Sequence, residues 1–487
     1  MIYSDSREAI MNSKGNIIIS ASAGAGKTTL LTNKIIKEVE ENKSHYKIAA
    51  ITFTHKASDE IREKLKGKGK DNYLGTNDGF VEQEIIRPFL NDAYGSSFNN
   101  DFIVTYTKNK FDTYQKGIEI LKSKSILGTY NNSKRNFKFE LALNILKKSK
   151  VANQYIKARY SRIYIDEYQD SDEDMHNLFM YIKDLGIKLF IVGDTKQSIY
   201  SWRGANPKLF NDIYANENTF EKYELTENFR CPISIQNYAN IIQYRNADKY
   251  QKDVVTCDVI GTKDDELGQV NIDDEIVSLV RSNKEAIELQ EMYKYMGYDF
   301  TYIPRTPLDD LGTNNKNILI ELAKYTKNKM YTHYNFVNNI PGEFNKSEIL
   351  EIKDIIFRLK GFINEEIIEK ILIDLFAYLT LEFFEDIEIK YFCQSVLDSK
   401  YENSFNGKEL KHKIMTVHAA KGLEFKQVII FAKNFNLNRN DDELHYVATT
   451  RAKNKLVIKI DDECYLRCIE KICKSNSIEL KDIIQIV

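Results

Sequence analysis

Apolar residues in the first half of the chain fall into short continuous runs separated by polar stretches. They include Ile17-Ile18-Ile19, Ile48-Ala49-Ala50-Ile51-Thr52-Phe53, Arg162-Ile163-Tyr164-Ile165 and Leu189-Phe190-Ile191-Val192. Runs this short and this apolar predict strands of a parallel sheet covered on both faces. Between them, Lys66 to Gly75 is rich in Gly, Lys, Asp and Asn and predicts a loop, and Gly75-Thr76-Asn77-Asp78-Gly79-Phe80 predicts the start of a helix running through Ile85 and Ile86. The stretch after it lacks strand signals and predicts a mainly helical insertion in the first domain. In the second half, Leu456-Val457-Ile458 predicts a strand, and Ile352, Ile355, Ile356 and Leu359 recur at helical spacing within 346–400.

The first run leads directly into Ala21-Ser22-Ala23-Gly24-Ala25-Gly26-Lys27-Thr28-Thr29. A strand, a glycine loop and a helix start in that order predict a phosphate cradle. Backbone N–H groups of Ala23, Gly24, Ala25 and Gly26 close around phosphate oxygens, Lys27 reaches the β and γ phosphates, and Thr28 holds Mg²⁺ while the helix presents its positive end. Ala21 stands where the usual motif has its first glycine, and a Gly-Lys-Thr tripeptide in an ordinary small-residue loop is the competing reading. The third run ends in Asp166-Glu167-Tyr168-Gln169-Asp170. Carboxylates at the carboxyl end of a parallel strand fall beside such a loop, where Asp166 would hold Mg²⁺ and Glu167 would orient or deprotonate a water; the alternative is an ordinary acidic helix start. The fourth run opens Gly193-Asp194-Thr195-Lys196-Gln197-Ser198-Ile199-Tyr200-Ser201-Trp202-Arg203-Gly204. A lone tryptophan is usually core, but a polar, glycine-flanked turn beside an arginine suits a base-stacking platform better.

At 487 residues the chain exceeds one core and predicts several domains. No apolar run is long enough to span a membrane and no signal segment opens the sequence, so a cytoplasmic protein is expected; six cysteines suit a reducing compartment. The net charge of −2 hides an asymmetry: between Val104 and Arg162 there are 14 Lys or Arg against three acids, a local excess of 11 that leaves −13 elsewhere. Such a block fits phosphate neutralisation, although a solvated helical face is the alternative. The interleaved aromatics Tyr106, Phe111, Tyr114, Tyr130, Phe137, Tyr155 and Tyr160 are expected in a small core. Cys464, Cys468 and Cys473 lack a fourth ligand and read as helix-face residues rather than a zinc site.

The order and spacing of these segments resemble superfamily 1 DNA helicases of the UvrD, Rep and PcrA type. The second half continues the likeness in Leu225-Thr226-Glu227-Asn228-Phe229-Arg230, Leu279-Val280-Arg281-Ser282-Asn283, Ile414 through His418 to Phe425, and Tyr446-Val447-Ala448-Thr449-Thr450-Arg451-Ala452. The resemblance implies an α/β fold of two RecA-like P-loop motor domains, each with a mainly helical insertion: motor 1A over 1–82 and 160–230, basic insertion 1B over 83–159, motor 2A over 231–330 and 411–487, and a reduced insertion 2B over 331–410. It implies ATP and Mg²⁺ as cofactors. Lys27, Thr28 and Thr29 would bind triphosphate and metal, Asp166 and Glu167 metal and water, Gln197 the γ phosphate, Phe229 the adenine face and Glu424 the ribose. Arg230 and Arg451 would act as arginine fingers from the other motor. Single-stranded or tailed duplex DNA would touch Phe53, Thr54, Thr76, Trp202, Arg203 and His418, moving 3′ to 5′.

Three positions depart from that pattern. Ser6, 21 residues before Lys27, replaces the usual adenine-binding glutamine; Asp78 replaces a histidine and would repel a phosphate unless it faces a base or a protein donor; Glu443 replaces an arginine. Glu388-Ile389-Lys390 mimics a nuclease triplet but lacks a preceding metal aspartate, and no room for a C-terminal nuclease is expected after Ala452. Within the family, Ser6-Arg7-Glu8, Thr52-Phe53-Thr54 and Thr76 to Phe89 resemble the helicase-like subunit of the Gabija anti-phage system, which implies an ATPase-TOPRIM nuclease as partner. An ATP-gated DNA sensor that activates such a nuclease, and a stand-alone repair helicase, are the alternatives.

Overall fold

The computed structural model describes all residues except 1–4, 53–70, 106–108, 217, 253–257, 312, 314, 341–343, 382–384, 407–409 and 438–440. The chain divides into two compact units. The first comprises Met1–Ala21, Gly26–Leu225 and Pro307–Leu397; the second comprises Ser22–Ala25, Thr226–Thr306 and Asp398–Val487.

The first unit is built on six strands, β1 (Asn16–Ala21), β2 (Lys47–Thr52), β3 (Tyr73–Thr76), β4 (Tyr160–Ile165), β5 (Lys188–Gly193) and β6 (Phe220–Leu225), in the order β6-β1-β5-β4-β2-β3. Every pair is parallel. The apolar runs fill the sheet because both faces are covered: Ile17, Ile18, Ile19, Ile163, Ile165, Phe190 and Ile191 are all fully buried. In register, Ser20 lies opposite Gly193 and Ile191 opposite Ile165, so the carboxyl ends of β1, β5 and β4 are neighbours. The loop expected over Lys66–Gly75 is corrected at its end. Tyr73–Thr76 is a strand on the sheet edge, paired with Ala49–Thr52. It is short and contains a glycine, which masked its apolar periodicity.

Two helical segments belong to this unit. The first carries helices Tyr114–Lys124, Phe137–Lys148 and Lys150–Arg159, packed on edge-to-face contacts of Phe111 with Tyr130 and Phe137. The described aromatics of the basic stretch are therefore core or core-packed, as expected; Tyr106 lies outside the described residues. The second, in 307–397, carries helices Lys316–Lys327, Lys346–Ile356, Glu365–Tyr378 and Glu385–Leu397. Ile352, Ile356 and Leu359 are buried in it. By compactness this segment groups with the first unit, whereas the sequence reading began it at 331 and attached it to the second motor.

The second unit has seven strands, β7 (Val259–Thr262), β8 (Ile276–Val280), β9 (Thr301–Tyr302), β10 (His412–Thr416), β11 (Phe425–Phe431), β12 (Ala452–Lys459) and β13 (Gln485–Ile486), ordered β9-β10-β8-β11-β12-β7-β13. All pairs are again parallel. Two parallel sheets wrapped by helices give the α/β architecture with two RecA-like motors. This sheet begins with β7, within the 231–330 span expected for the second motor, and β13 follows the terminal helix Glu463–Ser475. Among the described residues, no helix is long and apolar enough to cross a membrane.

Candidate nucleotide and nucleic-acid sites

In the first unit, β1 ends at Ala21 and the helix Lys27–Glu41 begins after Gly26, whose φ of 71° is a left-handed turn open to glycine. No side chain caps this helix, so its first N–H groups are available to an anion. Lys27 points back along the loop. Its Nζ lies 3.6 Å from Asp194 Oδ2, with side-chain exposures of 10% and 6%, and 3.5 Å from the Ala21 carbonyl. Thr28 follows in the first turn and is partly buried.

Asp166 follows β4 directly, is buried, and its N–H donates to the Ile51 carbonyl across the sheet (3.1 Å). Burial pushes its carboxyl up, the neighbouring Glu167 pushes it further, and Lys27 pulls it back. Two carboxylates held together beside one lysine leave excess negative charge, the setting in which a hard divalent cation binds through oxygen. Glu167 has φ 51°, a strained left-handed conformation for a side-chain-bearing residue. Gln169 holds it there: its Nε2 donates to the Glu167 carboxylate while its Oε1 accepts from the Asp194 N–H (2.9 Å). Gln197 Nε2 in turn donates to Asp194 Oδ2 (2.6 Å). Lys27, Asp166, Glu167 and Gln197 thus share one hydrogen-bonded and electrostatic network, with Asp194 at its centre. Asp194 and Gln169 had no role in the sequence reading; an acid following an apolar strand that neighbours the phosphate-loop strand was the available signal.

In the second unit, Phe229 is 72% exposed, as a stacking face must be. Its N–H donates to the Gly24 carbonyl (2.9 Å), and Ala23 N–H donates to the Tyr446 hydroxyl (3.4 Å). Gly24 has φ +72°, and a Cβ there would sit 2.2 Å from Asn228 Oδ1, so the close approach requires glycine. Arg230 Nε lies 3.0 Å from Glu424 Oε2, and its Nη1 donates to the Thr450 carbonyl (3.3 Å). Burial works to raise the Glu424 carboxyl, but Arg230 and Lys453 outweigh it and hold it below its ordinary value. Arg451 is only 1% exposed; its guanidinium donates to the carbonyls of Val447 (3.0 Å) and Leu423 (2.9 Å). The expected ribose carboxylate and first finger are therefore paired with each other, and the second finger is folded onto its own backbone. A cavity of about 250 Å³ at the carboxyl ends of this sheet, lined by Thr262, Val280, Leu289, Phe431 and Lys459, contains none of Phe229, Arg230, His418, Glu424 and Arg451.

Of the expected DNA contacts, Phe53 and Thr54 lie outside the described residues. Thr76 caps the helix Asn77–Val81, its Oγ1 accepting from Gly79 N–H (3.2 Å). Asp78 faces a protein donor: Lys138 Nζ is 3.9 Å away and is also 3.3 Å from the buried Glu82, which accepts from Arg87 (2.9 Å). Glu82 opens the π-helical turn Glu82–Ile86. Burial pushes the Asp78 carboxyl up and Lys138 opposes it. Trp202 is 57% exposed, not core, and the Arg203 guanidinium lies 4.5 Å from its ring centre. His418, in the second unit, lies on the short helix Val417–Ala420 and is partly buried. Ser6 is exposed on the helix Asp5–Asn12, and Glu443 lies in the first turn of Asp442–Thr449.

Part of the basic excess is neutralised from outside its own stretch. Arg135 pairs with Asp174, Lys138 with Glu82, Arg159 with Glu84 and Arg162 with Glu38, whereas Lys122, Lys124, Lys147, Lys150 and Lys157 are exposed. Glu388 is buried and accepts from Asn315 Nδ2 (3.1 Å), a structural role rather than a nuclease one. Cys464, Cys468 and Cys473 share the helix Glu463–Ser475, and among the described residues no cluster of His, Cys, Asp and Glu is placed to hold a metal alone.

Residues 3–136 and 123–218 match the UvrD/REP helicase N-terminal domain, and residues 388–463 the UvrD-like helicase C-terminal domain. The chain is 47% identical over 495 residues to Gabija protein GajB of Bacillus cereus (strain VD045), covering 99% of both chains. It is 26% identical over 306 residues to the ATP-dependent DNA helicase PcrA of Staphylococcus aureus (strain Mu50), covering 53% of this chain and 42% of that protein. The Pif1 helicase from Bacteroides, solved with ADP-AlF3 and ssDNA, is more distant, at 13% identity and a TM-score of 0.36.

Proposed function

We propose, on the premise that this chain belongs to the UvrD-like helicases and among them to the family of Gabija protein GajB, that it couples ATP hydrolysis to 3′-to-5′ movement on single-stranded DNA. The observation that carries this reading is the network joining Lys27, Asp166, Glu167 and Gln197 through Asp194 and Gln169. Lys27 and the N–H groups of the glycine loop bind the phosphates, and Phe229 covers the adenine. Glu167, fixed by Gln169, orients the attacking water and accepts its proton. Thr28 and Asp166 fit Mg²⁺ by their hard oxygen donors, and the ion when bound neutralises charge on the β and γ oxygens. Arg230 and Arg451 supply positive charge to the transferring phosphoryl group once they leave Glu424 and the Leu423 carbonyl. Removing such an arginine costs about 10³ to 10⁵ in turnover in related chemistry.

In the cell, the likeness to GajB supports a role beside an ATPase-TOPRIM nuclease in anti-phage defence. A second reading, an ATP-gated DNA sensor that signals to that nuclease without processive unwinding, draws support from Asp78, which faces Lys138 instead of offering a positive contact to DNA. Unwinding of a 3′-tailed duplex by the purified chain, with and without the nuclease, separates the two. Strand release by the chain alone is the expected result. ATP turnover without strand release in either condition selects the sensor.

A further inference from the structure

The turn Ser201–Arg203, closed by Gly204, touches both helical segments of the first unit. From the basic segment, Ser133 Oγ donates to the Trp202 carbonyl (3.4 Å), and a Cβ on Gly204, at φ +99°, would lie 2.9 Å from Lys134 Cα. From the second segment, Asp310 Oδ1 lies 2.7 Å from Arg203 Nη2, while the guanidinium stays stacked on Trp202. Asp310 is no loose side chain. It ends the 3-10 turn Pro307–Asp310, in which Leu308 is fully buried, Leu308 N–H donates to Ser395 Oγ (3.4 Å) on the helix Glu385–Leu397, and the Asp309 carbonyl accepts from Lys316 (2.6 Å).

A guanidinium fork donates to carboxylate and phosphate oxygens in the same geometry. We propose that Asp310 occupies on Arg203 the place of a DNA phosphate, so that single-stranded DNA binding at Trp202 exchanges carboxylate for phosphate and frees the second helical segment from the turn. This inference rests on the reading that DNA stacks at Trp202. The exposures suit an exchangeable contact: the two side chains are 44% and 46% accessible, and a pair so open to water yields readily to a competing anion. The second segment thereby becomes the element whose release reports that the strand is seated.

The test uses the full chain and a fluorescent oligothymidylate, with anisotropy read over a series of salt concentrations. Asp310→Asn is expected to tighten binding about two- to fivefold, the range open to an exposed ion pair. The slope of log affinity against log salt is expected to stay close to the parent's, because Arg203 neutralises the same phosphate in both proteins. Asp310→Glu is expected to restore the parent behaviour. Unchanged or weaker binding by Asp310→Asn, while Trp202→Ala weakens binding, overturns the exchange alone. If Trp202→Ala has no effect, the stacking reading fails and the exchange with it.

Discussion

Lys27 Nζ stands 3.6 Å from Asp194 Oδ2, so the phosphate-loop lysine is neutralised by a carboxylate from the end of the adjacent strand. The pair is nearly buried, and a buried cation deprived of its partner is costly. Asp194→Ala is therefore expected to destabilise the nucleotide-free first unit by about 1–3 kcal/mol, as for a buried charged group left unsatisfied. Bound triphosphate replaces the lost carboxylate. In a thermal melt, the variant should start lower than the parent and gain more from magnesium-ATP; an equal gain in both proteins would show that Lys27 does not exchange Asp194 for phosphate.

The Arg230–Glu424 pair separates two kinetic effects. On the proposed role of Arg230 as an arginine finger, Arg230→Ala is expected to lower turnover by about 10³ with little change in half-saturating ATP. If Glu424 holds the ribose as proposed, Glu424→Gln should raise half-saturating ATP with a smaller loss of turnover. Steady-state hydrolysis by each variant checks the split; the reverse assignment would exchange the roles.

Lys138 is the one described cation found beside both Asp78 and the buried Glu82. Among the described residues, Lys138→Met leaves Glu82 paired with Arg87 and removes the cation beside Asp78 and the Thr76 cap. The expected outcome is a loss of about 1–3 kcal/mol in stability and a rise of several-fold in the DNA concentration giving half-maximal ATPase. Lys138→Arg should recover both. DNA dependence that survives Lys138→Met intact would mean that the basic insertion does not set the position of the Thr76–Asp78 turn.

His445 gives the second unit a pH dependence. Its Nε2 meets the Tyr465 hydroxyl at 2.7 Å, which in turn meets Tyr238 at 2.5 Å, and burial, with Arg245 nearby, pushes the imidazole down from 6.5 to about 3. Between those values the unfolded chain takes up a proton that the folded chain refuses, so stability falls as pH drops through that window. Urea denaturation should show a lower midpoint at pH 5 than at pH 7, with an unfolding free energy smaller by about 2 kcal/mol. His445→Leu should flatten that slope; an unchanged slope would assign the dependence to other groups.

Sequence pattern made the sheets legible where strands are long and buried on both faces, as with Ile17-Ile18-Ile19 and Leu189-Phe190-Ile191-Val192. It missed β3 and β7, which are four residues each and carry Gly75 and Gly261, too brief for periodicity to register. The exposure of Trp202 was legible from the polar turn around it. The positions of Gln169 and Asp194 were not, because their roles come from the register that sets Ser20 beside Gly193. Nor could composition reveal that Arg451 is turned onto the Val447 and Leu423 carbonyls, or that residues 307–397 pack with the first unit: both depend on contacts between residues far apart in the chain.

The central claim is that one catalytic network, built around Lys27, spends ATP in response to a DNA strand. Steady-state ATP hydrolysis by the full chain, with and without saturating single-stranded oligonucleotide, tests it most directly, with Lys27→Ala as the control. A marked rise in turnover on adding DNA, abolished in Lys27→Ala, is predicted. Turnover that ignores DNA, or that persists in Lys27→Ala, would contradict the account.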